Sequence, residues 1–370
     1  ILFCGSSSAS LARDYNETNC GEGFDLADLA LTGAQGKLIK AIHATGKPVI
    51  LVLVTGKPFS IAWEKKHIPA ILIQWYAGEQ EGSSIANILF GKTNPSGHLT
   101  VSFPQSSGHL PAYYNHLPTD RGFYHKPGSY EQPGRDYVFS SPGPLWAFGH
   151  GLTYTTFNYT DMQIQQSVDS IKVFVTVKNT GRWAGKAVPQ LYVRDVFSSI
   201  STPVKQLKAF NKVALEPGET TRVPLHFAVQ DLALTDEAGK TMVEPGSFEI
   251  MIGDASDHIL LKQTISIGQN MAVSPCSIKE QLPEEIGKGN IIHIKGVVRD
   301  VQATPVDKVE IYSTAQQQVI GVTDQNGKYF IDAPEDDVLV FCKSGYLDEK
   351  VNVDRKNDIQ ITIRNKMVFP

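Results

Sequence analysis

A single glutamate, Glu22, stands between two glycines in the stretch Asn19-Cys20-Gly21-Glu22-Gly23-Phe24-Asp25. A carboxyl mounted this way could serve as a general acid, which must reach a leaving-group oxygen and hold its proton in a partly dry site. Glycines on both sides free the backbone for positive φ and let a bulky substrate approach. Taken alone, the motif is short, and a solvated loop charge beside a chain turn is the simpler explanation. Asp25 and Asp28 follow closely, and capping or decorating a helix start explains both. The run Gly5-Ser6-Ser7-Ser8-Ala9-Ser10 could form an anion-binding nest, or a plain turn. Trp75 and Tyr76 end an apolar run, where aromatics either stack on sugars or pack into a core.

Other chemistries find little support. The 10 histidines form no His-x-x-x-His or His-Glu-x-x-His set, so no metal site is assigned. There is no Gly-x-Ser-x-Gly elbow for a serine hydrolase and no glycine-rich phosphate loop. No cofactor is called for. Four cysteines (Cys4, Cys20, Cys276 and Cys342) lack CxxC spacing. Cys4 and Cys20 could pair if their loop folds back, but buried free thiols are the plainer reading. A formal net charge of −4 argues against a nucleic-acid partner. No apolar run is long enough to span a bilayer, so no membrane span is expected.

The elements that must position these residues follow from hydrophobic period. Over residues 1–100, apolar runs alternate with helical patterns. The runs are Ile1–Cys4, 48–54 and 70–76; Leu38, Ile39 and Ile42 recur at helical spacing, and further helices are expected over 58–67 and 82–91. Such alternation implies an α/β layer with ligands bound at the carboxyl ends of parallel strands. Glu22 follows the first strand and so falls at that edge. The 370 residues suffice for two or three domains. Opening directly on a strand, the chain reads as beginning in mid-domain, as a fragment would.

Residues 101–150 have no sustained period and are crowded with Pro, Gly and aromatics, as in a functional or wrapping connection. From 151 to 268 the pattern is all β. Ile171, Val173, Val175 and Val177 alternate with polar neighbours, and Glu-Pro-Gly turns at 216–218 and 244–246 punctuate the strands. Evenly spaced short strands of this kind argue for an immunoglobulin-like or fibronectin-like sandwich. Residues 269–289 read as a linker. A second small β domain begins near 290, with Asn326-Gly327 as a hairpin signal. The expected fold class is an α/β doubly wound sheet (partial, N-terminal) followed by two all-β sandwich domains. The expected boundaries are 1–104, the connection 105–150, 151–268, the linker 269–289, and 290–370.

Residues 21–111 closely resemble the second domain of glycoside hydrolase family three, mainly β-glucosidases with β-xylosidases and related exo-acting enzymes. The stretch 144–159 (PLWAFGHGLTYTTFNY) looks like the family's junction into a fibronectin type III-like domain. The stretches 177–195, 203–220 and 243–256 resemble that domain. The resemblance covers residues 1 to about 268. It implies a retaining exo-acting β-glycosidase hydrolysing terminal non-reducing β-linked sugars, with β-glucosidase the leading reading. The family's acid/base glutamate commonly sits in a Ser-Gly-Glu-Gly loop, and Glu22 in Cys20-Gly21-Glu22-Gly23 matches it. The nucleophile would lie on an N-terminal barrel that is absent from these residues; neither Asp14 nor Asp25 is promoted to that role. The family's usual arginine after Phe-Asp is Leu26 here. Residues 290–363 resemble the carboxypeptidase regulatory-like sandwich, often appended to exported bacterial proteins. The implied partners are β-linked glucosides or oligosaccharides and the missing barrel, and the implied location is periplasmic or extracellular. A non-catalytic carbohydrate-binding or scaffolding fragment is the alternative.

Overall fold

The computed structural model describes residues 1–7, 19–21, 25–118, 140–237, 239–268, 271–272, 289–316, 318–343 and 346–364. The chain divides into two compact units: residues 1–231 with 245–268, and residues 232–244 with 269–370.

The first unit opens with three parallel strands, β1 (Leu2–Gly5), β2 (Ile50–Val54) and β3 (Ala70–Gln74), in the order β1-β2-β3. Helices α1 (Gln35–His43), α2 (Ala62–His67) and α3 (Glu81–Leu89) follow the expected alternation. Leu51, Val52 and Leu53 are fully buried, as a strand covered on both faces requires. Ile39 of α1, Phe59, Ile61, Ile68 and Phe103 complete this core. The sequential order contains no reversal, so the switch point of a doubly wound sheet is not among the described strands.

The irregular stretch after α3 is stitched back onto this layer. Phe103 and Trp146 form an antiparallel bridge, and Leu99 N–H donates to His150 O at 2.8 Å. Asn94 extends the junction: its side chain donates to Ala184 O (2.8 Å) and accepts from Thr153 Oγ1 and Tyr154 N–H, both at 2.7 Å. Gln190 Nε2 donates to Gly149 O at 3.0 Å, and Phe148 stacks on Tyr114.

Beyond the junction lie β4 (Phe157–Gln166), β5 (Ser170–Asn179), β6 (Gly185–Ala187), β7 (Gln190–Asp195), β8 (Gln206–Phe210), β9 (Val213–Leu215) and β10 (Thr220–Ala228). The short strands β11 (Leu234–Thr235) and β12 (Thr241–Val243) belong to the second unit, while β13 (Gly246–Ala255) and β14 (His258–Ile267) return to the first. Two sheets result, β10-β5-β4 and β14-β13-β7-β8, with the two-stranded β6-β9 beside them. Ile171, Val173, Val175 and Val177 are fully buried on one face of β5, as their period demands, and Leu191, Ile250 and Ile252 are fully buried in the other sheet.

In the second unit, β12 lies between β11 and β15 (Met271–Ala272) and pairs with both. The other strands are β16 (Ile291–Arg299), β17 (Glu310–Ser313), β18 (Gln318–Val322), β19 (Lys328–Pro334), β20 (Val338–Cys342), β21 (Glu349–Asn352) and β22 (Ile361–Thr362). They form the sheets β19-β16-β22 and β18-β17-β20-β21 around Ile294, Val298, Ile311, Ile331 and Phe341. Asp337 is buried but satisfied, accepting from Thr314 Oγ1, Ala315 N–H, Val338 N–H and Ser313 Oγ. Two expectations are corrected here. Asn326-Gly327 does turn the chain, with Gly327 at φ 70°, but β18 and β19 enter different sheets, so the turn is an arch and not a hairpin. The turn is closed around Asp324, whose side chain accepts from Asn326 and Lys328 N–H at 2.8 Å and whose backbone N–H donates to Lys328 O, after which the strands diverge. Cys342 is disulfide-bonded, whereas Cys4 and Cys20 are free. Spacing along the chain could not show a pairing made through space.

Burial at the junction pushes the His98 and His150 imidazoles below their ordinary value; Lys212 and Lys65 respectively add to this, and Asp254 opposes it at both. The unfolded chain therefore binds these protons at a higher pH than the folded one. Stability from this source is complete above about pH 6.5 and is lost as pH falls below it. The melting temperature of the first unit is expected to fall between pH 7.5 and 5.5, and a His98→Asn, His150→Asn variant to show a flatter profile. Thiol titration of the unreduced, denatured protein is expected to count two cysteines, not four.

Candidate active site

Parallel strands bring their carboxyl ends to one edge, and here the ladder runs one residue past each. Ser6 N–H donates to Val54 O and Thr55 N–H to Gln74 O, both at 2.9 Å. Gly5 makes this possible: a Cβ there would lie 1.7 Å from Val54 O. Ser6, Thr55 and Tyr76 consequently meet. Ser6 Oγ lies 3.3 Å from Thr55 Oγ1 and 3.1 Å from Tyr76 Oη, and Tyr76 Oη donates to Ser6 O at 2.8 Å. The Tyr76 ring lies where a Cβ on Gly56 would fall, 2.7 Å from Cε2. The Trp75–Tyr76 pair is thus divided: Trp75 packs on the core beside Phe103, while Tyr76 remains 43% exposed at the edge. Burial raises the Tyr76 phenol, its contacts with Cys20 raise it further, and the Ser6 hydrogen bond partly offsets both.

The segment expected to carry the acid is pinned at both ends. On the near side, Ser7 N–H donates to Asn19 Oδ1 and Asn19 Nδ2 to Thr32 Oγ1, both at 2.8 Å. Gly21 has φ 87°, so the chain turns in left-handed backbone just before Glu22. On the far side, Leu29 N–H donates to Ser107 Oγ (3.1 Å), and Ser60 N–H to Leu29 O (2.9 Å). Asp28 Oδ1 accepts from Ala30 N–H (3.0 Å) and Ser107 Oγ (3.3 Å). Asp25 and Asp28 were expected to cap or decorate a helix start, yet α1 begins only at Gln35 and its N-cap, Ala34, makes no side-chain bond. Asp28 closes a turn instead. Glu22 lies outside the described residues, as do Asp14 and Ser8 to Ser10 of the candidate nest.

Sequence reasoning missed Lys57. Thr55 Oγ1 donates to Lys57 O (2.7 Å) and accepts from Lys57 N–H (3.0 Å), curling the chain as it leaves β2. Lys57 is 7% exposed, and its Nζ has no hydrogen-bond partner. Burial pulls its ammonium below the ordinary lysine range, while the charges of Cys20 and Asp28 oppose this. The available signal was a charged residue in Thr55-Gly56-Lys57-Pro58, placed directly after a strand at the ligand-binding edge.

Two open grooves lie elsewhere, on the β-sandwich. One, about 450 Å³, runs between β8 and β10 and is lined by no carboxylate; the other, about 320 Å³, includes Asp195 alone. Neither supplies the carboxyl pair that glycoside cleavage requires. Among the described residues no His, Cys, Asp and Glu cluster could hold a metal ion, and no helix is long and apolar enough to cross a membrane.

Comparison with known proteins agrees with this layout. Residues 1–154 match the glycosyl hydrolase family 3 C-terminal domain and residues 187–256 the fibronectin type III-like domain. A β-xylosidase of Formosa agariphila is 40% identical over 267 residues, covering 71% of this chain and 35% of that protein. A periplasmic β-glucosidase of Salmonella typhimurium is 40% identical over 243 residues, 64% of this chain and 31% of its own length. The crystal structure of a β-glucosidase from Listeria innocua in complex with gluconolactone superimposes with a TM-score of 0.64 at 33% identity, covering 72% of this chain and 36% of that one. The chain thus spans about a third of the length of the relatives it matches.

Replacing Tyr76 with Phe removes one hydrogen bond to Ser6 O and is expected to destabilise the first unit by about 1 kcal/mol. Gly56→Ala is expected to do so by more, because the ring must move. Urea unfolding of the two variants checks the order.

Proposed function

We propose that these residues form the C-terminal portion of a retaining, exo-acting β-glycosidase, a β-glucosidase by preference, with Glu22 as its acid/base. The observation that carries this reading is the segment between Asn19 and Asp28. It is anchored beside the end of β1 through Ser7 and Asn19 and, at its other end, on Ser107, in a region matching a family 3 domain, with Gly21 turning the chain immediately before Glu22. The nucleophile is assigned to an N-terminal barrel outside these 370 residues. Retention requires the two carboxyl groups about 5–5.5 Å apart.

In the first step the barrel's carboxylate attacks the anomeric carbon. The glycosidic C–O bond breaks as its oxygen takes the Glu22 proton, and the aglycone leaves as an alcohol. In the second, Glu22, now a carboxylate, takes a proton from water. That water attacks the anomeric carbon and releases the nucleophile, and Glu22 is reprotonated. Substrates are β-linked glucosides or oligosaccharides cleaved from the non-reducing end. Residues 1–104 and 151–268 act as the family's α/β and fibronectin-like domains, joined by 105–150. Residues 290–370, beyond a linker at 269–289, form a carboxypeptidase regulatory-like module. The disulfide at Cys342 supports an oxidising compartment, periplasmic or extracellular.

In the full-length enzyme, Glu22→Gln is expected to slow cellobiose hydrolysis by about 10²–10⁴-fold. The loss is expected to be far smaller on dinitrophenyl β-glucoside, whose leaving group needs no proton, with azide partly restoring turnover. Unchanged cellobiose kinetics would remove Glu22 from the mechanism. The isolated 370-residue chain is expected to be close to inactive on nitrophenyl β-glucoside.

A further inference from the structure

We propose that the outer face of the β10-β5-β4 sheet is a binding surface for an acidic polysaccharide, a polymer of uronate sugars. Strand alternation sets this face. Ile171, Val173, Val175 and Val177 are buried inside the sandwich, so Lys172, Phe174 and Lys178 of β5 point outward. The register places His226 of β10 opposite Lys172, and Arg222 one pair away from Lys178 on the diagonal. All four cationic side chains, Lys172, Lys178, Arg222 and His226, are exposed. The outward positions of the three strands hold no aspartate or glutamate. Acids lie at the margin: Asp161 at the β4 bulge accepts from Thr160 Oγ1, Asp169 is in the turn between β4 and β5, and Glu219, before β10, accepts from Glu216 N–H.

Charge complementarity selects an anion. The whole chain carries a formal net charge of −4, yet this face gathers cations alone. Among the described residues, none of Lys172, Lys178 and Arg222 belongs to an ion pair. Neighbouring cations repel one another across strands, and a bound polyanion relieves that repulsion. Spread selects a polymer over a small anion. Lys172 with His226 marks one end of the face and Lys178 with Arg222 the other, and the strand between positions 172 and 178 runs for about 20 Å. The middle suits sugars. There Phe174 and Pro224 form an apolar strip, and the amides of Asn158, Gln163 and Gln165 on β4 can donate to or accept from hydroxyl groups. Arg222 lies over the Phe174 ring at 4.3 Å and donates from Nη2 to Gln163 Oε1 at 2.6 Å. Its planar fork is thus held in place, with further N–H groups for a carboxylate. The groove between β8 and β10 borders the face along Pro224 and His226 and is lined by no carboxylate. The choice of a glycan over other polyanions rests on the proposed glycosidase reading; the charge of the face does not.

The test is affinity gel electrophoresis of the 370-residue chain in polygalacturonate, with the neutral β-glucan laminarin and single-stranded DNA as comparisons. Polygalacturonate is expected to retard the chain and laminarin to leave its mobility unchanged. Affinity for polygalacturonate is expected to fall about tenfold in the Lys172→Gln, Lys178→Gln, Arg222→Gln variant, as for three exposed charge pairs. It is expected to be unchanged in Lys37→Gln, Lys92→Gln, whose exposed lysines belong to the α/β layer. Equal weakening in both variants, or in neither, overturns the proposal. Sodium chloride at about 0.5 M is expected to abolish the retardation. Retardation that survives this salt, or that laminarin matches, overturns the proposal with the unchanged chain alone, whether or not the variants fold. Tighter binding of DNA than of polygalacturonate overturns the glycan assignment. In the full-length enzyme, the triple variant is expected to hydrolyse nitrophenyl β-glucoside at an unchanged rate. Absence of polygalacturonate binding strikes this proposal alone, whereas unchanged cellobiose kinetics in Glu22→Gln strikes the acid assignment alone.

Discussion

Three parallel strands must end on the same edge of their sheet, and everything chemical in the first unit depends on that constraint. The ladder continues one residue beyond β1 and β2, so Ser6 and Thr55 are placed by backbone bonds before their side chains act. Two glycines permit the convergence. At Gly5 the Val54 carbonyl occupies the space of a side chain, and at Gly56 the Tyr76 ring does. The edge is therefore built from backbone geometry first and decorated with hydroxyls afterwards.

How much of this was legible in the sequence differs by the kind of signal. The period of two over Ile171 to Val177 and the spacing of Leu38, Ile39 and Ile42 report burial directly, and β5 and α1 formed where they pointed. The strand at 48–54 and the glycine stops at Gly46 and Gly91, both at positive φ, were equally plain. What could not be read were contacts between residues far apart in sequence. Asp28 meets Ser107 across 79 positions and Tyr76 meets Ser6 across 70. The burial of Lys57 follows from packing, whereas its residue type argues for exposure. Asn326-Gly327 is a local signal that was correct about the turn and silent about which sheet each flanking strand would join. Glu22, the residue most singled out by its neighbours, owes its assignment to motif and resemblance, since it lies outside the described residues.

The aperiodic connection deserves a second reading in that light. The described residues of the connection after Phe103 are irregular apart from one 3₁₀ turn at Ser107–His109, and pattern could not show what the segment does. It bridges to the sheet layer through Phe103 and Trp146, and Ser107 within it bonds both Asp28 and Leu29. A short 3₁₀ turn in this connection thus supplies the far anchor of the segment that ends at Asp28.

On the reading proposed for Glu22, a proton donor working across a domain boundary faces two opposed demands. Its carboxyl must stand clear of its own domain to reach a sugar held by another, yet it must not wander. A helix would fix the group but keep it close to the core; an untethered loop would extend it without fixing it. Bonds at Asn19 and Asp28 and left-handed backbone at Gly21 fix the described ends of such a loop.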